Sequence, residues 1–222
     1  MKLSHFDFEE PFYIDSSYIN VLVLENPSSM YAYAKELSDQ INGKAGRFIC
    51  DELKSCLIVS DYLNFTINDK KILTKLYQSL YAIVTEDYVL EYADIQSRIF
   101  SLLENLNADA QYPLDYTPEF QAVDLFKGCS VKFDEDATLI ERLVAFVKIS
   151  ASLLKVKCLF FVNLKTVINE FDLQCLYKEA QLEDIPLFLI ENKFMETLTG
   201  EKVKIIDTDF CEIAIERDEK KL

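Results

Sequence analysis

Three carboxylates stand at or just after apolar runs that read as strands: Glu25 after Val21–Leu24, Asp61 after Cys56–Val59, and Glu191 after Ile185–Ile190. In an open α/β sheet the carboxyl ends of the strands are where sites form, and acids gathered there could hold a divalent metal that activates water on a phosphoester. The other reading is that each acid caps its own loop and faces water. A second acidic group, Asp115, Glu119, Asp124, Asp134, Glu135 and Asp136, surrounds a loop carrying Pro113 and Pro118. Oxygen-rich loops suit calcium, which takes roughly six to eight ligands in loose geometry. No EF-hand pattern is present, and a solvated face remains the alternative.

What is missing narrows the chemistry further. Neither GxxxxGK[ST] nor GxGxxG occurs, and the glycines are Gly43, Gly46, Gly128 and Gly200 alone. The junction after the first strand, where a phosphate loop would sit, reads Glu25-Asn26-Pro27-Ser28-Ser29. Its carboxylate repels an anion and its proline has no N–H to offer. His5 is the single histidine, which leaves no Ser-His-Asp, Cys-His or multi-histidine metal set. The six cysteines are scattered without a CxxC pair, several inside apolar runs, and are expected as buried structural thiols.

Basic residues come in small groups. Lys44, Arg47 and Lys54 lie between the first two strands, Lys70, Lys71 and Lys75 open a helix, and Lys155 and Lys157 precede a later strand. None is interleaved with aromatics as in single-strand binders, and no recognition-helix motif points to base reading. The formal net charge of −15 argues against nucleic acid when taken alone. With a Debye length of about 8 Å at physiological salt, acids on one face barely affect a basic face elsewhere.

The elements that must position these groups follow from periodicity. Asn20–Leu24 is a strand, Asn26 an N-cap, and Pro27 the first helical residue, where its missing N–H costs least. Met30, Ala34, Leu37 and Ile41 mark a helix face that Asn42-Gly43 ends. With Cys56–Val59 this makes β-α-β, hence parallel strands. Asn68 is read as the cap of a helix carrying Leu73, Tyr77, Leu80 and Val84. Tyr88, Tyr92, Ile95, Ile99, Leu102 and Leu106 then keep the same spacing. Such a repeat predicts a narrow antiparallel helical arm with a coiled-coil-like seam, unless these faces pack on the sheet. Beyond the loop Asp109–Pro118, a short helix over Pro118–Lys127 ends at Gly128. A helix on Ile140, Leu143, Val147 and Leu154 precedes the strand Cys158–Val162. Asn169 and Asp172 suggest a capping box, and strands at Ile185–Ile190, Val203–Ile206 and Phe210–Ile215 complete the series. The expected class is α/β with a mainly parallel sheet, a head of residues 1–66 and 130–222, and an inserted helical leg of 67–129. No window approaches a membrane span, and acids occupy the place of a signal peptide's apolar segment, so a cytoplasmic protein is expected.

The order of segments resembles a known family. Phe6 to Pro11 fits F-x-x-x-x-P, and Val21 to Pro27 fits V-L-V-[IL]-E-[DN]-P. Leu57 to Asp61 with Phe65, followed by Lys70 to Tyr77, fits a strand ending before an [GN]-F turn and a lysine-bearing helix. Lys155 to Asn163 resembles a lysine cluster before a strand ending F-V-N, followed by Glu170 to Tyr177. Leu187 to Ile190 and Asp207 to Phe210 resemble the family's ending. By these motifs the chain resembles the type II-A CRISPR-associated adaptation protein family, Csn-two.

That resemblance implies a fold related to ABC-type ATPases without the nucleotide motifs, and a non-catalytic homotetrameric ring around double-stranded DNA that prefers ends. It also implies a part in spacer acquisition with the CRISPR integrase pair and the effector nuclease. Lysines would line the channel, here Lys44, Arg47, Lys54, Lys70, Lys71, Lys155 and Lys157. Calcium would be held by acids between leg and head, here Glu119, Asp124 and Asp134. Two further positions of that set are Tyr116 and Pro118, which supply no carboxylate. The alternatives are a carboxylate-dependent metal hydrolase acting at Asp61, and a protein-protein scaffold that docks through the arm.

Overall fold

The computed structural model describes residues 1–117, 120–134 and 137–216. The chain divides into two compact units, Met1–Ile67 with Glu135–Leu222, and Asn68–Asp134.

The first unit is mixed α/β around a mainly parallel sheet. Its strands are β3 (Ile19–Leu24), β5 (Leu57–Val59), β6 (Leu159–Val162), β7 (Leu187–Glu191), β8 (Glu201–Ile206) and β9 (Glu212–Glu216). They lie in the order β5-β6-β7-β3-β8-β9. All neighbours are parallel except β8 and β9. INVLVL, LFFV and LFLIE are buried at every position, as strands must be when helices cover both faces of a sheet.

On one face lies α1 (Pro27–Ile41), which buries Met30, Tyr33 and Leu37 against Leu22, Leu24, Phe160, Val162, Phe188 and Ile190. Each such side chain contributes about 1.5–3 kcal/mol when fully removed from water. Asn26 caps α1 by accepting from the Ser28 and Ser29 N–H groups at 3.0 and 3.2 Å. Gly43 at φ 90° turns the chain out of it, a conformation only glycine adopts without cost. Leu159, Phe161, Leu187 and Leu189, of the opposite parity, are fully buried as well. Their face takes α5 (Leu139–Ser152) and α6 (Glu170–Leu182), which pack on one another.

Periodicity had no hold on a second, three-stranded sheet. It joins β1 (Lys2–His5), β2 (Phe12–Tyr13) and β4 (Phe48–Ile49) in the order β2-β1-β4. Two of these strands have two residues each, too few to show a period. Leu3, Phe12 and Phe48 join it to the core under α1, and Phe12 meets Phe188 edge to face at 4.8 Å.

The second unit holds α2 (Lys70–Asp87), α3 (Val89–Asp109) and α4 (Ala122–Gly128). The cap of α2 is Asp69, not Asn68: its carboxylate takes the Lys71 and Ile72 N–H groups at 2.7 and 2.9 Å. Asn68 instead exchanges two hydrogen bonds with the Phe133 backbone, at 2.9 and 2.8 Å. The expected antiparallel seam does not form. Tyr88 alone separates α2 from α3, and the Tyr88 and Tyr92 N–H groups still bond Val84 and Tyr88 carbonyls. One residue gives no loop in which to reverse, so α3 departs from α2 at a bend. Within the unit α2 packs on α4, where Tyr77 donates to the Val131 carbonyl at 2.9 Å. Tyr92 and Gln96 of α3 hold the Phe120 carbonyl at 2.6 and 3.1 Å. Its Leu90, Leu102 and Leu106 stay exposed.

Two smaller expectations also change. The full capping box belongs to α5, between Thr138 and Glu141, whereas at α6 Asn169 accepts the Asp172 N–H and its side-chain amide donates to the Asp172 carboxylate. Of the cysteines, Cys56 and Cys158 are buried, Cys50 and Cys175 half-buried, and Cys129 and Cys211 exposed, all as free thiols.

Candidate functional site

At the carboxyl edge of the parallel strands, side-chain oxygens engage backbone N–H groups of the turns, either within one turn or from the next. After β3, Asn26 takes the first N–H groups of α1, and Pro27 contributes none. After β5, the Asp61 carboxylate accepts from the Leu63 and Asn64 N–H groups at 3.1 and 3.0 Å and from the Asn64 amide at 2.7 Å. Those bonds, the Asn64 side chain first, hold it below the usual carboxylate range. After β6, the Lys165 N–H goes to Glu191 at 3.1 Å. After β7, the Asn192 N–H goes to the Asn163 side chain at 3.1 Å. A bound phosphate needs such N–H groups unengaged. Here the protein's own oxygens have taken them.

Glu191 is 1% exposed, and its Oε2 has no hydrogen-bond partner among the described residues. Burial raises its pKa to about 7, against the opposing pull of Lys165. Beside it, Lys165 and Glu201 form an ion pair at 2.7 Å with side chains 4% and 0% exposed. Tyr177 of α6 and the Leu198 N–H complete the Glu201 shell at 2.7 and 2.9 Å. Sequence reading found Glu191 by its place after a strand, but missed Lys165, Tyr177 and Glu201.

Glu25, Asp61 and Glu191 do not gather into a metal centre. Glu25 and Asp61 face water while Glu191 is buried. Among the described residues no three His, Cys, Asp or Glu side chains are placed to hold a metal ion. Of the acids between the helices, Glu119, Glu135 and Asp136 lie outside the described residues, Asp124 pairs with Lys127 at 3.4 Å, and Asp134 is exposed. Calcium takes roughly six oxygens, so Asp124 and Asp134 would hold it only together with further ligands.

A cavity of about 500 Å³ also opens at the carboxyl edge, lined by Pro27, Met30, Tyr31, Ala34, Ile58 and Val162 among others. Its lysine, Lys35, is paired with Asp39 at 2.7 Å. Ser38, Ser60, Asn163 and Asn192 complete a mixed lining in which that lysine is already neutralised by Asp39.

The basic residues separate into three settings. Lys44 pairs with Asp39 at 2.9 Å, and Arg47 with Glu36 at 3.0 Å and Asp7 at 3.5 Å. Lys70 and Lys71 are exposed in the first turn of α2, in the other unit. Lys54, Lys155 and Lys157 are brought together at the amino edge of the sheet. Lys54 sits in the 3-10 turn Leu53–Ser55 that leads into β5. Lys155 and Lys157 lead into β6, and the Lys157 N–H bonds the Ser55 carbonyl at 2.9 Å. All three are exposed, and none makes an ion pair among the described residues. A cleft of about 480 Å³ carries Lys155 and Lys157 on its wall with Asp15, Glu52 and Asp184.

Comparison with known proteins adds the following. Residues 47–210 match the protein family described as CRISPR-associated protein (Cas_Csn2). No curated protein matches the chain. Among solved structures it is similar to a protein from Pyrococcus furiosus described as an ABC transporter ATP-binding protein, at 10% identity and a TM-score of 0.43, covering 91% of this chain and 97% of that one. No helix among the described residues is long and apolar enough to cross a membrane.

Proposed function

Because this chain belongs to the Cas_Csn2 family of CRISPR-associated proteins, we propose that it is a non-catalytic clamp on double-stranded DNA that serves spacer acquisition. In this reading four copies close a ring, and the CRISPR integrase pair and effector nuclease are its partners. The observation that carries the proposal is the contrast between the two ends of the sheet. The end where a nucleotide would bind has its N–H groups taken by Asn26, Asp61, Asn163 and Glu191, and the other end presents Lys54, Lys155 and Lys157, exposed and in no ion pair among the described residues.

Such lysines act on phosphates as mobile point charges, so binding would be indifferent to sequence and driven by counterion release. Lys70 and Lys71 would add charge from the second unit. Lys44 and Arg47 would engage phosphate only in competition with Asp39, Glu36 and Asp7. Surface pairs of that kind are worth about 0–1 kcal/mol, which a phosphate can displace. Calcium enters this proposal only through Glu119, Asp124 and Asp134. Chelation that leaves assembly and DNA binding intact would remove it.

Sizing chromatography should give a tetramer, and binding to linear duplex should fall steeply with salt. Changing Lys54, Lys155 and Lys157 together to Ala should lower the slope of log affinity against log salt by up to about 3 per subunit engaged. It should leave the unfolding midpoint in place. A stable monomer indifferent to linear duplex would reject the proposal.

A further inference from the structure

His5, the single histidine, is enclosed at the junction of the small sheet and α1, with its side chain 0% exposed. Phe8, Tyr33 and Phe48 surround the ring at centroid distances of 5.2, 4.8 and 4.7 Å. Its Nδ1 accepts the Asp7 backbone N–H at 3.2 Å, so the proton of the neutral ring sits on Nε2. Among the described residues, that Nε2 has no hydrogen-bond partner; a Glu36 carboxylate oxygen is 3.7 Å away. An inert core histidine would have its ring nitrogens matched.

Titratable and charged groups face the ring from each element around it: Asp7 from the turn after β1, the neutral Tyr33 hydroxyl and Glu36 from α1, and Arg47 from the residue before β4. Both carboxylates are already in use. Glu36 holds Arg47 at 3.0 Å, and Asp7 holds Arg47 at 3.5 Å and the Tyr33 hydroxyl at 2.7 Å. Asp7 Oδ2 lies 3.4 Å from His5 Nδ1.

We propose that His5 is a proton-operated latch on Arg47, a positioning residue that decides whether this exposed guanidinium stays clamped to Asp7 and Glu36 or is released. A proton taken from solvent onto Nδ1 ends the bond from the Asp7 N–H and makes both ring nitrogens donors. The imidazolium then turns its two N–H groups to the Asp7 and Glu36 carboxylates. Arg47 then shares both carboxylates with a second cation, its hold on them weakens, and the released guanidinium can meet an external phosphate. Burial keeps the ring neutral to lower pH than usual, with Asp7 and Glu36 pulling the other way, so the latch is shut in neutral solution. The link to DNA rests on the function proposed above; the latch itself does not.

The test is an NMR titration of the full-length protein from pH 8 to 5, without DNA. It follows the one imidazole and the Arg47 Nε–Hε signal, which Arg47→Lys identifies. The latch requires the ring to titrate below its ordinary midpoint, and the Arg47 signal to move with the same midpoint. In His5→Gln and in Glu36→Gln that movement should disappear. An Arg47 signal that stays still while His5 titrates, or moves unchanged in His5→Gln, overturns the proposal. Loss of the core methyl signals at the same midpoint also overturns it, since protonation would then unfold the unit. With linear duplex added, affinity should rise several-fold from pH 8 to 6 beyond the change seen in His5→Gln. Absence of that rise alongside a working latch would count against Arg47 as a phosphate contact and leave the latch standing.

Discussion

The two ends of the parallel sheet use their polar groups in opposite ways. At the carboxyl edge, side-chain oxygens fold back on the backbone: Asn26 onto α1, Asp61 onto its own turn, Glu191 onto Lys165, and Asn163 onto Asn192. At the amino edge, Lys54, Lys155 and Lys157 extend into water. Polar groups of the first kind hold the fold, because an unmet buried donor or acceptor costs about 1–3 kcal/mol. Those of the second kind give the fold almost nothing and remain open to a partner. The difference teaches that charge here should be sorted by partner before it is counted. A net charge of −15 says little about either end.

The contrast breaks most sharply at Lys165. Lys165→Ala leaves Glu201 buried with its cation gone, which should destabilise the protein by about 3–5 kcal/mol. Lys157→Ala at the other end should cost no more than about 0.5 kcal/mol. Lys165→Met combined with Glu201→Gln, which keeps an acceptor for Tyr177 and the Leu198 N–H, should recover much of the loss. Urea midpoints decide this, and equal losses at Lys165 and Lys157 would mean that the two ends do not differ as described.

A smaller effect, readable through pH, belongs to Glu191. Its pKa is raised in the fold from 4.5 to about 7, so the protonated form is the one the fold favours. That stabilisation is complete below pH 4.5 and is lost as pH rises through about 7. At about 1.4 kcal/mol for each pH unit, the buried carboxylate costs up to about 3 kcal/mol above that range. Glu191→Gln, neutral throughout, should match the native protein near pH 4.5 and be the more stable above pH 7. A difference between them that does not change with pH would show that Glu191 is already solvated.

How much of this was legible in the sequence depends on the range of the interaction. Asn26 and Pro27 announce a helix start, because the cap and the missing N–H act within three residues. The doubly buried strands are equally plain, since continuous apolar runs such as LFFV suit only a covered sheet. Asn68 and Asp69 are both capping residues, and the choice between them is settled by the Phe133 backbone, 65 residues away. The antiparallel seam was inferred from a spacing that α3 does possess, but spacing does not say whether a partner lies opposite. Lys165 and Glu201 stand 36 residues apart, so nothing local marks them as a pair. The basic clusters were visible, but not that Arg47 is held by Glu36 and Asp7 while Lys155 and Lys157 make no ion pair among the described residues.

The smallest expected effect bears most directly on function. Lys155 sits at φ 55°, just past the end of α5, in the left-handed region that glycine occupies most easily. A lysine there strains the backbone by about 1 kcal/mol, with no ion pair among the described residues to offset it. If Lys155 served only the fold, glycine would serve better. Lys155→Gly should therefore raise the unfolding midpoint while weakening linear duplex binding and reducing its salt dependence. Lys155→Ala, which keeps the strain and removes the charge, should weaken binding equally without the gain in stability. Should Lys155→Gly stabilise the protein and leave duplex binding untouched, the amino edge would lose its place in the proposed interface.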